Sequence, residues 1–183
     1  MIPLKVIVFV DEANAAGAAR QLDRRINWKE MAEYLADPEE GRMLVEMVLY
    51  KGLPPNLPQF QCQRDKQLKY VYALRSQGFI VVTKDGMPQD PGSSSYKANM
   101  DVDMAIDAME MCADMKPDVA VLLTGDADFA CLAQKIRRCG VRCEVASARG
   151  VLSSELKTAA SSVIDLTPLY ETFSPWRVAV AAA

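Results

Sequence analysis

The chain has 183 residues, half of them apolar and a quarter charged, with a formal charge of −3. That is an ordinary globular mixture, so one compact domain over 1–175 with a frayed tail at 176–183 is expected, with no disulfide or metal staple needed for folding. The mild acidic balance argues against general DNA coating, though a local basic groove would escape a net count. Histidine is absent, which removes Ser-His-Asp and Cys-His pairs, histidine acid/base catalysis and His-containing zinc sites.

Short apolar, β-rich runs alternate with helical patterns, the mark of an α/β domain with a mainly parallel sheet. Leu4–Val10 is almost continuously apolar and reads as a first strand covered on both faces. Helices are expected near Ala13–Leu22 and over Trp28–Leu35, the latter capped by Asn27. Met43–Tyr50 is the second strand, and Gly52–Pro58 reads as a loop. Leu68, Val71, Tyr72 and Leu74 give Phe60–Gln77 helical spacing, and Phe79–Thr83 is the third strand. Lys84–Ala98, rich in Gly, Pro and Ser, predicts a long mobile loop. A helix over Asp101–Met115 leads to the fourth strand, Val119–Leu123. Asp128–Cys139 is a helix, Val141–Ala146 the fifth strand and Leu152–Ala159 a short helix. Val163–Leu166 is a candidate sixth strand and Pro168–Phe173 a last turn.

The five cysteines contain no Cys-x-x-Cys and read as reduced, mostly small apolar fillers. The N-terminus has no basic stretch before its apolar run, and the longest apolar runs are far short of a membrane span of about 20 residues. A cytoplasmic protein without membrane contact is expected.

Acidic residues stand where an open sheet collects ligands. Asp11 ends the first strand and Asp126 follows the fourth, so the two meet at the crevice if those strands are neighbours across a reversal of strand order. Asp128 lies two residues beyond Asp126, and Asp101 opens the helix after the long loop. Each acid alone reads equally well as a helix cap. Together, four carboxylates at one point repel and hold their charge only with a cation or raised pKa values. The donor set is all oxygen, which selects Mg²⁺ or Mn²⁺ over zinc. Asp103 reads as a solvated helix face. Asp107 points about 120° away from Asp101 at 3.6 residues per turn and is either solvated or placed behind the acids.

Phe9-Val-Asp11-Glu-Ala-Asn14, Lys97-Ala-Asn-Met-Asp101-Val-Asp-Met-Ala-Ile-Asp107 and Thr124-Gly-Asp126-Ala-Asp128-Phe129 resemble the three signatures of NYN domains, in particular the LabA-like bacterial branch. Those domains form part of the PIN-like, or FEN-like, metal-dependent nuclease superfamily. The resemblance spans residues 4–170 in the right order. It implies a three-layer Rossmann-like fold with sheet order 3-2-1-4-5 and cleavage of RNA phosphodiesters, single-stranded or structured, with Mg²⁺ or Mn²⁺. By position, Asp11, Asp101, Asp126 and Asp128 match the metal-binding and catalytic acids. Asn14 matches the Asn after the first strand, and Asp107 the acid closing the middle motif. Lys97 is either a point charge for the phosphate or a solvated loop residue. Glu12 and Ala13 stand where a Gly is common, and Ala98-Asn99-Met100 lengthens the Lys-to-Asp interval.

Backbone binding needs positive charge beside the acids. Arg64, Lys66, Lys69 and Arg75 on one helix, and Arg137, Arg138, Arg142 and Arg149 around the fifth strand, are the candidates, with Tyr96 as a base platform. No organic cofactor is called for. Exposed Met and Leu on the 60–77 and 101–115 helices leave a homodimer open. A haloacid-dehalogenase-type phosphatase would need a second Asp at position 13, where Ala stands. The main alternative is an NYN-fold regulator that binds RNA or protein and cleaves little or nothing.

Overall fold

The computed structural model describes residues 2–90 and 95–176. The expected tail from 177 onward, and 91–94 of the expected loop, lie outside them. Six parallel strands form the central sheet in the order β3-β2-β1-β6-β7-β8. They are β1 (Leu4–Asp11), β2 (Arg42–Leu53), β3 (Ile80–Asp85), β6 (Val119–Leu123), β7 (Arg142–Ser147) and β8 (Ser162–Asp165). Counting only the strands of this sheet, the expected order 3-2-1-4-5 holds, and the sixth strand adds at the far edge. A separate two-stranded ribbon, β4 (Met87–Pro88) with β5 (Tyr96–Lys97), is antiparallel.

Side-chain alternation along the strands builds two cores. From β1, Val6, Val8 and Val10 face one layer while Ile7 and Phe9 face the other. The first layer is made by α1 (Glu12–Gln21), α2 (Trp28–Leu35), α3 (Gln61–Ser76) and α7 (Thr167–Thr172). The second is made by α4 (Asp101–Met115), α5 (Ala130–Arg138) and α6 (Ser154–Ala159). β6 is buried along its whole length, as its unbroken apolar run requires. α1 is built from small residues, and Ala15, Ala18 and Ala19 pack it closely onto the sheet. Asn27 caps α2 through the amides of Lys29 and Glu30.

Three expectations are corrected. β2 does not stop at Tyr50: it continues through Leu53, because Gly52 pairs with Lys84 and Leu53 with Asp85 of β3. Gly52 is needed there, since a Cβ would stand 2.5 Å from the Cβ of Ala98. The segment read as a structureless loop over 84–98 begins as β3 and then forms the β4–β5 ribbon. Tyr96, read as a base platform, instead packs edge-on against Phe60 with ring centroids 5.9 Å apart, bracing that ribbon against the segment before α3. All five cysteines are free, and burial raises the thiols of Cys112 to about 11 and Cys143 to about 12. Among the described residues no helix is long and apolar enough to cross a membrane.

Candidate functional site

The chain leaves β1 for one face of the sheet and reaches β6 from the other, so strand order reverses between these two neighbours. A crevice opens at such a reversal, beyond the carboxyl ends of the strands. Val10 pairs with Leu123, which sets the segments carrying Asp11 and Asp126 side by side.

Asp11 caps α1: its Oδ1 accepts from the Asn14 amide at 3.1 Å, and its Oδ2 accepts from the Thr124 hydroxyl at 3.2 Å. The same hydroxyl accepts from the Asp126 amide at 3.2 Å. Asn14 completes the link, its Oδ1 taking the Gly125 amide at 3.0 Å. The end of β1 and the turn after β6 are therefore stitched by three side chains. Gly125 is required at this point because a Cβ would lie 2.4 Å from the Val151 carbonyl oxygen.

Asp126 caps the short 3-10 turn Ala127–Phe129 through the Asp128 amide at 3.0 Å. Asp128, within that turn, is exposed. Asp101 is the first residue of α4 rather than its cap, and its amide is held by Asn99 Oδ1 at 2.8 Å.

The acids feel one another. Burial is the main cause holding the Asp11 carboxyl above its ordinary range, against the Asn14 and Thr124 hydrogen bonds, and the charges of Asp101 and Asp126 add to it. Asp101 is raised by burial first and then by Asp126 and Asp128, while Asn99 and Lys97 act in the opposite sense. The structure thus joins Asp11, Asn14 and the turn carrying Asp126 and Asp128 by hydrogen bonds, with the Asp101 carboxyl within electrostatic range of Asp126, Asp128 and Lys97. Asp107 sits apart, further along α4, where its Oδ2 accepts from the buried Tyr50 hydroxyl at 3.1 Å. Burial and the Asp107 charge push that phenol up, so it stays a donor. Asp103 is on the solvated face, paired with Lys84 at 2.7 Å.

As the side chains lie, no three acids among the described residues stand close enough to enclose one ion. Two of them have turned an oxygen toward their own chain's amides. The donor chemistry nevertheless fits a hard divalent cation: four carboxylates, no imidazole and no thiolate, with like charges already raising two of the carboxyls.

Thr124 and Tyr50 were missed by sequence reasoning. Thr124 was visible as the first residue of the third signature, and its complete burial marks it as part of the scaffold. Nothing local pointed from Tyr50 to Asp107, 57 positions away. Most of the expected basic strips are also spent on the fold. Arg64 pairs with Asp85 at 2.8 Å, Arg142 with Glu144 at 2.8 Å and Arg149 with Asp165 at 2.6 Å. Arg75 and Arg137 donate to the carbonyls of Val81 and Ala159. Lys66, Lys69 and Arg138 remain exposed.

The three-layer sheet with its order reversal between β1 and β6 defines a Rossmann-like fold, and the sequence matches the NYN domain over residues 5–167. The chain belongs to the NYN domain family. It is 26% identical over 169 residues to the low amplitude and bright protein LabA of Synechococcus elongatus, covering 91% of this chain and 86% of that one. Its fold is similar to that of a Vibrio parahaemolyticus protein of unknown function, with TM-score 0.69, 24% identity, and coverage of 90% of this chain and 94% of that one.

Proposed function

We propose that this NYN domain is a Mg²⁺- or Mn²⁺-dependent ribonuclease that hydrolyses RNA phosphodiester bonds. The observation that supports it most is that β1 and β6, paired through Val10 and Leu123, deliver Asp11 and Asp126 side by side at the reversal of strand order, where the Thr124 hydroxyl bonds to both segments; the Asp101 charge also acts on Asp11. Asp11 and Asp126 each give one oxygen to an amide of their own chain, but among the described residues none of the four acids is in an ion pair. Structural ion-pair networks usually do the opposite, pairing each acid with a base.

Asp11, Asp126 and Asp128, with Asp101, would hold the cation. When bound, such an ion lowers the pKa of a coordinated water and offsets charge developing on the phosphate. The chain's own residues supply the rest. Thr124 and Asn14 fix the Asp11 carboxylate and the turn carrying Asp126, so the two donors approach from set directions. Asp128, exposed in the same turn, would be the third donor. Lys97, whose charge acts on Asp101, would offer its ammonium to the phosphate as a point charge. Water attacking the phosphorus opposite the 3′ oxygen leaves a 5′-phosphate and a 3′-hydroxyl.

The test incubates labelled single-stranded and structured RNA with Mn²⁺ and with Mg²⁺, using the wild type and Asp126→Asn. Asparagine keeps the acceptor that caps the 3-10 turn but removes a charge. Cleavage by the wild type with a loss of about a hundredfold or more in the variant is expected. Absence of cleavage by the wild type in both metals, with RNA still bound, would overturn the enzyme in favour of a regulator.

A further inference from the structure

A groove between α1 and α3 concentrates charge of the opposite sign. It encloses about 420 Å³, within the range of small-molecule sites. At its inner end Glu12 and Lys51 form a buried ion pair at 2.6 Å. That pair is neutral in sum, so the charge of the groove is set by Arg20, Arg24 and Arg25, which line it. Among the described residues none of the three is in an ion pair. Arg24 is half-buried with its Nε enclosed by protein and unpartnered, so the part of the guanidinium that meets the groove is its terminal N–H donors. Arg20 spends only its Nε, on the Ala16 carbonyl.

Aromatic side chains bound the same space. Tyr70 is held in place, its hydroxyl accepting from the Trp28 indole at 2.7 Å and its ring lying 5.2 Å from the Lys51 ammonium. Trp176 is half exposed and has the Arg25 guanidinium 5.5 Å from its ring centroid. Guanidinium groups recognise phosphate through paired N–H donors, and flat rings recognise bases by stacking. Inorganic phosphate alone would leave the aromatic wall unused.

We propose that this groove binds a nucleoside monophosphate group, with its phosphate on Arg20, Arg24 and Arg25 and its base against Trp176. The group is either a free nucleotide or the 5′-phosphorylated end of an RNA. The inference does not depend on the acids at the sheet reversal.

The full chain is titrated in EDTA with 5′-AMP, adenosine and inorganic phosphate, following heat and tryptophan fluorescence. Trp28 is buried and bonded to Tyr70, so the Trp176 signal is identified as the part of the change lost in Trp176→Phe. Binding of 5′-AMP at or below about 1 mM is expected, about tenfold or more tighter than adenosine or phosphate. Arg24→Gln should weaken it about tenfold, and Arg20→Gln serves in its place if that variant fails to fold. Trp176→Phe should remove the fluorescence change. A 5′-phosphorylated tetraribonucleotide that binds more tightly than both 5′-AMP and its 5′-hydroxyl counterpart assigns the ligand to an RNA end. If it binds no better than 5′-AMP, the ligand is the free nucleotide. Equal affinity for 5′-AMP and adenosine, or no change in folded Arg24→Gln and Arg20→Gln, would overturn the proposal. RNA cleavage with no 5′-AMP binding removes this inference alone, and 5′-AMP binding without cleavage removes the nuclease alone.

Discussion

Asp11 serves two purposes whose energetics oppose each other. As the cap of α1 it satisfies the Asn14 amide, an interaction of about 1 kcal/mol. As a half-buried carboxylate facing Asp101 and Asp126 it is destabilised when ionised. Its folded pKa is raised above the ordinary 3.8. The stability it contributes is therefore complete below that value and lost as pH rises through the elevated one. In EDTA at neutral pH, Asp11→Asn keeps a capping oxygen and sheds the charge, so its thermal midpoint should equal or exceed the wild type's. Asp11→Ala loses the cap and should melt about 2–4 °C below Asp11→Asn. Lowering the pH toward 3.8 should close the gap between wild type and Asp11→Asn. Melting curves across pH check the set, and a destabilised Asp11→Asn at neutral pH would mean the carboxylate is there for the helix alone.

At the scale of elements, the turn after β6 is clamped from both sides. Gly125 donates to Asn14 Oδ1, and its carbonyl accepts from the Ser153 amide at 2.9 Å before α6. Gly125→Ala puts a methyl group against the Val151 carbonyl, so either the turn or the 148–153 loop must shift. A loss of about 1–3 kcal/mol is expected in denaturant melts, together with loss of cleavage, because the shift moves Asp126 and Asp128. At the opposite edge of the sheet, Arg42 of β2 reaches across to Glu144 of β7 at 2.7 Å. Burial raises the Glu144 carboxyl, but hydrogen bonds from Arg142 and Arg42 outweigh it and leave the group below its ordinary 4.5. That contribution is present above 4.5 and is lost as pH falls through the lowered value. Glu144→Gln should cost about 1–3 kcal/mol at pH 7, with less difference from wild type in acid.

Elements read well from this sequence wherever burial on both faces forced unbroken apolar runs, as in β1 and β6. The end of β2 did not: Gly52 and the prolines after it look like a loop, and only the partner strand β3 reveals that Gly52 carries a ladder residue beside Ala98. The acids were legible as residues at strand ends, because alternation and strand length fix where a β-strand delivers its last side chain. Their partners were not. Thr124 and Asn14 act across 113 and 111 positions, and all but Arg138 of the arginines expected to hold RNA bond to carbonyls or acids that no local pattern announces. The groove between α1 and α3 was invisible for the same reason, being assembled from two helices, a loop and Trp176.

Across the whole molecule, the reversal of strand order between β1 and β6 is what sets the segments carrying Asp11 and Asp126 side by side. Each layer of helices buries its own core against the sheet, so the edge is held from both sides. A rigid edge also carries a cost that the fold bears without a ligand, since acids near one another repel. A cation that binds only the native state must raise stability by mass action, by about 2.7 kcal/mol at a hundred times its Kd. Calorimetric titration of Mn²⁺ into the wild type, Asp11→Asn and Asp126→Asn therefore tests the central claim most directly. One site or two adjacent sites per chain, with proton release and with binding weakened about tenfold or more in both variants, is the predicted result. Binding of equal strength in all three proteins, or none in the wild type at millimolar Mn²⁺, would contradict it.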